Sequence, residues 1–134
     1  MGLKNVIFTG MISEEEKVKH IEKCDFLVLP SISKAEAFAL VQIEAMAFGK
    51  PVINTALPSG VPCVSINGVT GLTVQPGSLL ELTHAMDKMA ENNAMREKYG
   101  RQAFDMVQRE YTPEKLAERH MQVFRELLNE GKVK

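Results

Sequence analysis

Residues 25–55 read DFLVLPSISKAEAFALVQIEAMAFGKPVINT, and this stretch decides the fold. Asp25-Phe26-Leu27-Val28-Leu29 is an apolar run stopped by Pro30-Ser31, the pattern of a strand buried on both faces in a parallel sheet. Phe38, Val41, Ala45 and Phe48 then recur at spacings of three and four, which predicts a helix over 35–48. Gly49 ends it and Pro51 follows. Pro51-Val52-Ile53-Asn54-Thr55 predicts a second short buried strand. Strand, helix and strand in this order predict an α/β fold with a parallel sheet. Ligands of such sheets bind beyond the carboxyl ends of the strands, so the loops to watch are 10–13, 30–36 and 55–62.

On the N-terminal side, Val6-Ile7-Phe8-Thr9-Gly10 reads as a strand ending in a turn. Ser13 and Glu16 form a capping box for a short helix running to about Lys23. On the C-terminal side, a Gly/Pro/Ser-rich loop covers 57–62. Val64–Ile66 and Thr70–Val74 read as extended pieces separated by the turn signal Asn67-Gly68. After Pro76-Gly77 the chain turns helical, with Ser78 and Glu81 as another capping box. Helices are predicted near 79–91, 94–109 and 113–129, the last with Thr112 as cap and Pro113 at its first position. The expected organisation is one partial domain, an α/β portion over 1–77 and a helical tail over 78–134. The sheet is expected to be Rossmann-like, with flanking helices.

Composition narrows the function. A chain of 134 residues with a net charge of -1 carries no basic field for nucleic acid. Cys24 and Cys63 form no CxxC motif, and His20, His84 and His120 are scattered, so no metal site is expected. No run of eighteen apolar residues and no signal peptide is seen, and a cytoplasmic location is expected. Met1-Gly2 opens like a myristoylation signal, but Val6 stands where Ser or Thr is wanted.

Two carboxylates stand out, Glu36 and Glu44. On one continuous helix, eight residues rise about 12 Å and turn through about 800°, which leaves both on one side. A helix mouth offers free N–H groups and a partial positive charge to phosphate, and the small residues Ala37 and Ala39 let a ligand approach the backbone. The carboxylates suit sugar hydroxyls. The competing reading is that Glu36 closes a capping box with Ser33 and that Glu44 is a solvated helix position.

The block from Pro30-Ser31 through Glu36, Phe38-Ala39, Glu44-Ala45-Met46-Ala47, Gly49 and Pro51-Val52 resembles the signature of retaining GT-B-fold glycosyltransferases, the glycosyl transferases group 1 family. The resemblance continues through Ser59-Gly60-Val61-Pro62, Asn67-Gly68-Val69-Thr70-Gly71-Leu72, Pro76-Gly77, Arg96 and Gly100, and so covers nearly the whole chain. It implies the back half of a C-terminal domain that binds a GDP- or UDP-sugar for glycan or surface polysaccharide synthesis, with transfer of a hexose. By this resemblance Glu36 is the catalytic carboxylate, facing the donor sugar and the leaving phosphate. Phe38, Ala39 and Leu40 offer backbone amides to the diphosphate. Glu44 holds the ribose hydroxyls, and Ser59-Gly60 sit in the loop across the site. No cofactor or metal is implied, because positive side chains and helix dipoles stabilise the leaving diphosphate. Peripheral membrane association of the full enzyme is compatible with the family.

Two departures qualify the match. The family's glycine after the aromatic residue is Ala39 here, whose methyl group would be strained if the position needs a positive φ. The βα units that bring the family's Arg and Lys to the diphosphate are not found, nor is the acceptor-binding N-terminal domain. The expectation is therefore an isolated chain that is inactive and self-associates, through an open sheet edge or the apolar face Leu116, Ala117, His120, Met121, Val123, Phe124, Leu127 and Leu128. That face is either core or contact surface. The alternatives are a non-catalytic truncated or split-gene module that pairs with another subunit, and a nucleotide-sugar epimerase, which the Glu-Ala-Met-Ala block disfavours.

Overall fold

A computed structural model describes residues 4–130. Six helices and three strands follow in the order α1 (Glu14–Lys23), β1 (Leu27–Val28), α2 (Leu40–Ala47), β2 (Val52–Thr55), α3 (Val61–Val64), β3 (Gly71–Val74), α4 (Leu79–Glu91), α5 (Asn93–Glu110) and α6 (Pro113–Glu130). The strands form one parallel sheet in the order β1-β2-β3. Leu27 pairs with Val52, and Val52 with Gly71, so the registers align across all three strands.

The sheet is sandwiched because β2 is apolar on both faces. Val52 points into a core with Ile21 of α1, Ala45 and Met46 of α2, and Ala103 and Val107 of α5. Ile53 points the other way, onto Val74, Ala85 and Met89 of α4, and Tyr99. This is the period-2 alternation of a strand with helices on both sides. Full burial of side chains such as Met46, Ile53 and Met89 stabilises the fold by about 1.5–3 kcal/mol each. A third, smaller cluster of Ala39, Leu57 and Val61, with Leu29 against it, closes the carboxyl end of the sheet.

The caps explain the helix boundaries. The Ser13–Glu16 box is complete, with both reciprocal bonds formed. The Ser78 hydroxyl accepts from the Glu81 N–H, but the Glu81 carboxylate accepts from the Gln75 N–H instead of closing the box. Arg96 donates to the carbonyls of Met89 and Ala90, tying off the end of α4.

Other expectations fail as well, each for a physical reason. Val6–Thr9 forms no strand. Among the described residues the sheet has three strands and Val6–Thr9 is not one of them, and Ile7 and Phe8 lie almost fully exposed. β1 is shorter than its apolar run and only half-buried, because among the described residues no strand pairs with its outer edge. Val64 lies in α3, not in an extended piece, because the Val64 N–H bonds back to the Gly60 carbonyl. α2 starts at Leu40 rather than Ala35, because Ala39 adopts φ 58 and ψ 73, a left-handed conformation no α-helix can pass through. Ser33 and Glu36 form no capping box for the same reason, and the Ser33 hydroxyl accepts from the Ala35 N–H. The apolar face of α6 is open, with Leu116, Val123, Phe124 and Leu127 more than half exposed. That decides between core and surface in favour of surface. Among the described residues no helix is long and apolar enough to cross a membrane.

Candidate functional site

The site is assembled at the carboxyl ends of β1 and β2, where the loops before α2 and before α3 meet. The Gly60 N–H donates to the Ala37 carbonyl at 2.8 Å, joining the two loops through their backbones. Gly60 suits this position because a Cβ there would lie 2.7 Å from the Phe38 ring and 2.9 Å from the Ala37 carbonyl oxygen. Ser59 is half-buried in the same loop, with its hydroxyl 3.4 Å from the Val61 N–H.

Beneath the loops runs a buried polar network. Gln42, fully buried on α2, directs its amide nitrogen at the carbonyls of Phe38 (3.4 Å) and Val61 (3.2 Å). Its amide oxygen accepts from Asn54 at 2.9 Å. The Asn54 nitrogen also reaches the carbonyls of Val61 and Ser65, both at 3.1 Å, while its oxygen accepts from the Thr73 hydroxyl at 2.7 Å. Buried polar groups persist only when they are satisfied, and here they tie both site loops to the central strand.

Ala39 turns the chain just before α2. The Phe38 carbonyl points back to Gln42, and among the described residues the backbone N–H groups of Phe38, Ala39 and Leu40 donate no hydrogen bond. Three consecutive free amides beside a helix N-terminus are groups of the kind that can receive an anion. Glycine takes this backbone without strain, whereas alanine costs about 1–2 kcal/mol there. Its methyl group is buried against Leu57 and Val61, which returns up to about 0.8 kcal/mol. Ala39→Gly is therefore expected to change stability by less than about 1 kcal/mol, whereas Ala39→Val, β-branched at positive φ, is expected to cost more than about 2 kcal/mol. Urea unfolding of the two variants checks this; a tolerated valine would contradict the left-handed conformation.

Glu36 lies in the turn ahead of these amides, half-buried, its N–H bonded to the Ser33 carbonyl at 3.2 Å. Glu36 and Glu44 are therefore not on one continuous helix, and the helical rise expected between them does not apply. Glu44 sits four residues into α2 and is met by Lys17 of α1. The Lys17 ammonium lies 3.1 Å from each Glu44 carboxylate oxygen and 2.6 Å from Glu14. Glu14 first, and Glu44 second, raise the Lys17 pKa above the ordinary lysine value.

Phe38 and Leu40 also line an apolar groove of about 460 Å³, together with Ile43, Tyr111, Pro113 and Leu116 among others. Tyr111 meets Phe38 edge-on at 6.3 Å between ring centres. Lys17, Gln42 and Asn54 escaped the sequence reading. The signal for two of them was there: an amide side chain inside an apolar helix, and another inside an apolar strand. Lys17 left none, because its partner is distant in sequence. Among the described residues no group of His, Cys, Asp and Glu is placed to hold a metal ion.

Residues 1–106 match the family described as glycosyl transferases group 1. The O-antigen chain mannosyltransferase C of Escherichia coli is 27% identical over 127 residues, covering 95% of this chain and 34% of that protein. D-rhamnosyltransferase WbpZ of Pseudomonas aeruginosa is 34% identical over 103 residues, covering 77% of this chain and 27% of that protein. Among solved structures, sucrose-phosphate synthase from Thermosynechococcus elongatus superposes with a TM-score of 0.81 at 31% identity, over 95% of this chain and 31% of that one. HepE of Anabaena, solved in complex with UDP, gives a TM-score of 0.73 at 21% identity, over 81% of this chain and 29% of that one, a likeness of fold. The chain spans 34% and 27% of the length of these two curated relatives.

Proposed function

The chain belongs to the glycosyl transferases group 1 family and has the fold of a GT-B C-terminal domain, and from that premise we propose that it is the donor-binding part of a retaining hexosyltransferase that uses a GDP- or UDP-sugar. The observation that carries this reading is the row of free amides at Phe38, Ala39 and Leu40, with Glu44 four residues beyond Leu40. The amides receive the diphosphate. Glu44 accepts from the ribose hydroxyls, Glu36 faces the donor sugar and the leaving phosphate, and Ser59-Gly60 cross the site. The helix N-terminus and the amides stabilise the charge that develops on the diphosphate, without a metal.

Relatives named for transfer to O-antigen, and for transfer of rhamnose, support a role in surface polysaccharide synthesis. In this reading the acceptor is bound outside this chain, so the isolated chain binds donor but does not transfer sugar. A cytoplasmic location and peripheral membrane association of the full enzyme go with this reading. The open α6 face favours a second feature, self-association of the isolated chain or pairing with another subunit, as a non-catalytic module would also do.

Calorimetric titration with GDP and UDP tests the donor site. One nucleotide is expected to bind, and Glu44→Ala to weaken it about tenfold or more, the effect of losing hydrogen bonds to a charged group. Binding of neither nucleotide, or binding indifferent to Glu44, would overturn the assignment.

A further inference from the structure

We propose that Lys17 is a positioning residue of the nucleoside end of the site, holding the Glu44 carboxylate in the orientation that recognises a ribose hydroxyl; this rests on the donor-binding reading above. A glutamate carboxylate rotates almost freely about its last bond, which has a broad, two-fold profile. Recognition of a ribose hydroxyl, by contrast, needs an acceptor oxygen held in one place. The Lys17 ammonium lies 3.1 Å from both Oε1 and Oε2 of Glu44 and hydrogen-bonds to Oε1, which fixes that rotation. The well-aligned hydrogen bond goes to Oε1, and Oε2 is enclosed from solvent with the ammonium as its neighbour.

Lys17 is itself held from behind. Glu14 grips the same ammonium at 2.6 Å, and α1 is locked at its start by the Ser13–Glu16 capping box. Ile21, one turn beyond Lys17, is buried against α2 and α5 and sets the seat of the helix. The lysine thus reaches Glu44 from a rigid element. Oε2 is shut off from solvent, so Oε1 is the oxygen left for a ligand, and beside the Lys17 bond it keeps a lone pair for a ribose hydroxyl. Glu44 is 40% exposed at its side chain, so it remains open to a ligand.

The test compares wild type, Lys17→Met, Lys17→Arg and Glu44→Ala by calorimetric titration with GDP and UDP and with their 2′-deoxy forms. The readout is the ratio of ribo to deoxyribo affinity, which a merely structural lysine would not move. Lys17→Met is expected to weaken the bound ribonucleotide about tenfold, the worth of one charge-assisted contact, and to collapse the ratio towards one. Lys17→Arg should restore most of both. If Lys17→Met keeps the ratio, or binds more tightly, while Glu44→Ala loses it, the positioning role is wrong and the donor site stands. A ratio that survives Glu44→Ala removes the ribose role of Glu44, and with it the role of Lys17. Failure of every nucleotide to bind the wild type overturns both.

Discussion

Gly100→Ala is expected to destabilise the chain by at least about 3 kcal/mol, although helix propensity alone predicts a gain of up to about 1 kcal/mol. Gly100 lies in the interior of α5, where alanine is the better helix former. The neighbour decides otherwise. A Cβ at Gly100 would sit 2.1 Å from the carbonyl oxygen of Gly49, well inside van der Waals contact, and 3.6 Å from Pro51. That carbonyl cannot retreat. Gly49 is itself in a left-handed turn, its N–H bonded to the Met46 carbonyl, and the next residues are held by bonds from Lys50 to Ala45 and from Leu27 to Pro51. The turn joins α2 to the central strand, so moving it disturbs both. Against a total stability of about 5–15 kcal/mol for an ordinary domain, such a loss is severe. Guanidinium unfolding of the variant checks it, and a midpoint at or above wild type would mean that α5 does not pack against Gly49 as described.

Asn54→Asp is expected to be nearly as damaging, at about 3 kcal/mol or more near neutral pH. The change keeps shape and removes donors. The Asn54 nitrogen faces three oxygens, those of Gln42, Val61 and Ser65, and a carboxylate there would bring negative charge against carbonyls in a fully buried place. Burial without compensation raises the folded-state pKa of such a carboxyl. The folded variant then binds more protons than the unfolded chain, so its stability must fall as pH rises above the unfolded value of about 3.9 and recover on acidification. Unfolding measured at several pH values checks both magnitude and sign. A flat difference between variant and wild type would mean that the carboxyl is solvated. Because Gln42 and Asn54 hold the carbonyls of Phe38 and Val61, nucleotide binding should fail in the same variant even where it stays folded.

How far the sequence could be read follows from the range of each interaction. The strand expected over 51–55, the helices expected over 79–91 and 113–129 and the Ser13–Glu16 cap are local patterns, and each stands within one residue of where its residues placed it. The left-handed conformation at Ala39 was foreseeable as a condition, because a family glycine is replaced there, but not the shift of the helix start to Leu40. Apolar periodicity through Phe38 concealed that shift, since Phe38 lies on no helix and packs edge-on to Tyr111 instead. Val6–Thr9 failed for the opposite reason. A strand exists only with a neighbour, and no local pattern supplies one. The expected roles of Glu36 and Glu44 came from resemblance. Lys17 meets a partner distant in the chain and left no local mark, whereas Gln42 and Asn54 each stand out as an amide in an apolar setting, though nothing local says that they pair.

The half-buried strand β1 carries a further consequence. Its Leu27 and Leu29 amides are engaged by β2, so the Val28 amide points the other way, out of the sheet. What it presents there is main chain, identical for almost every residue type. Side-chain replacement along β1 can change the affinity of whatever joins that edge, yet it cannot erase the invitation; only proline deletes a main-chain donor. Among the described residues the edge is thus a property of the path of the chain and not of its spelling.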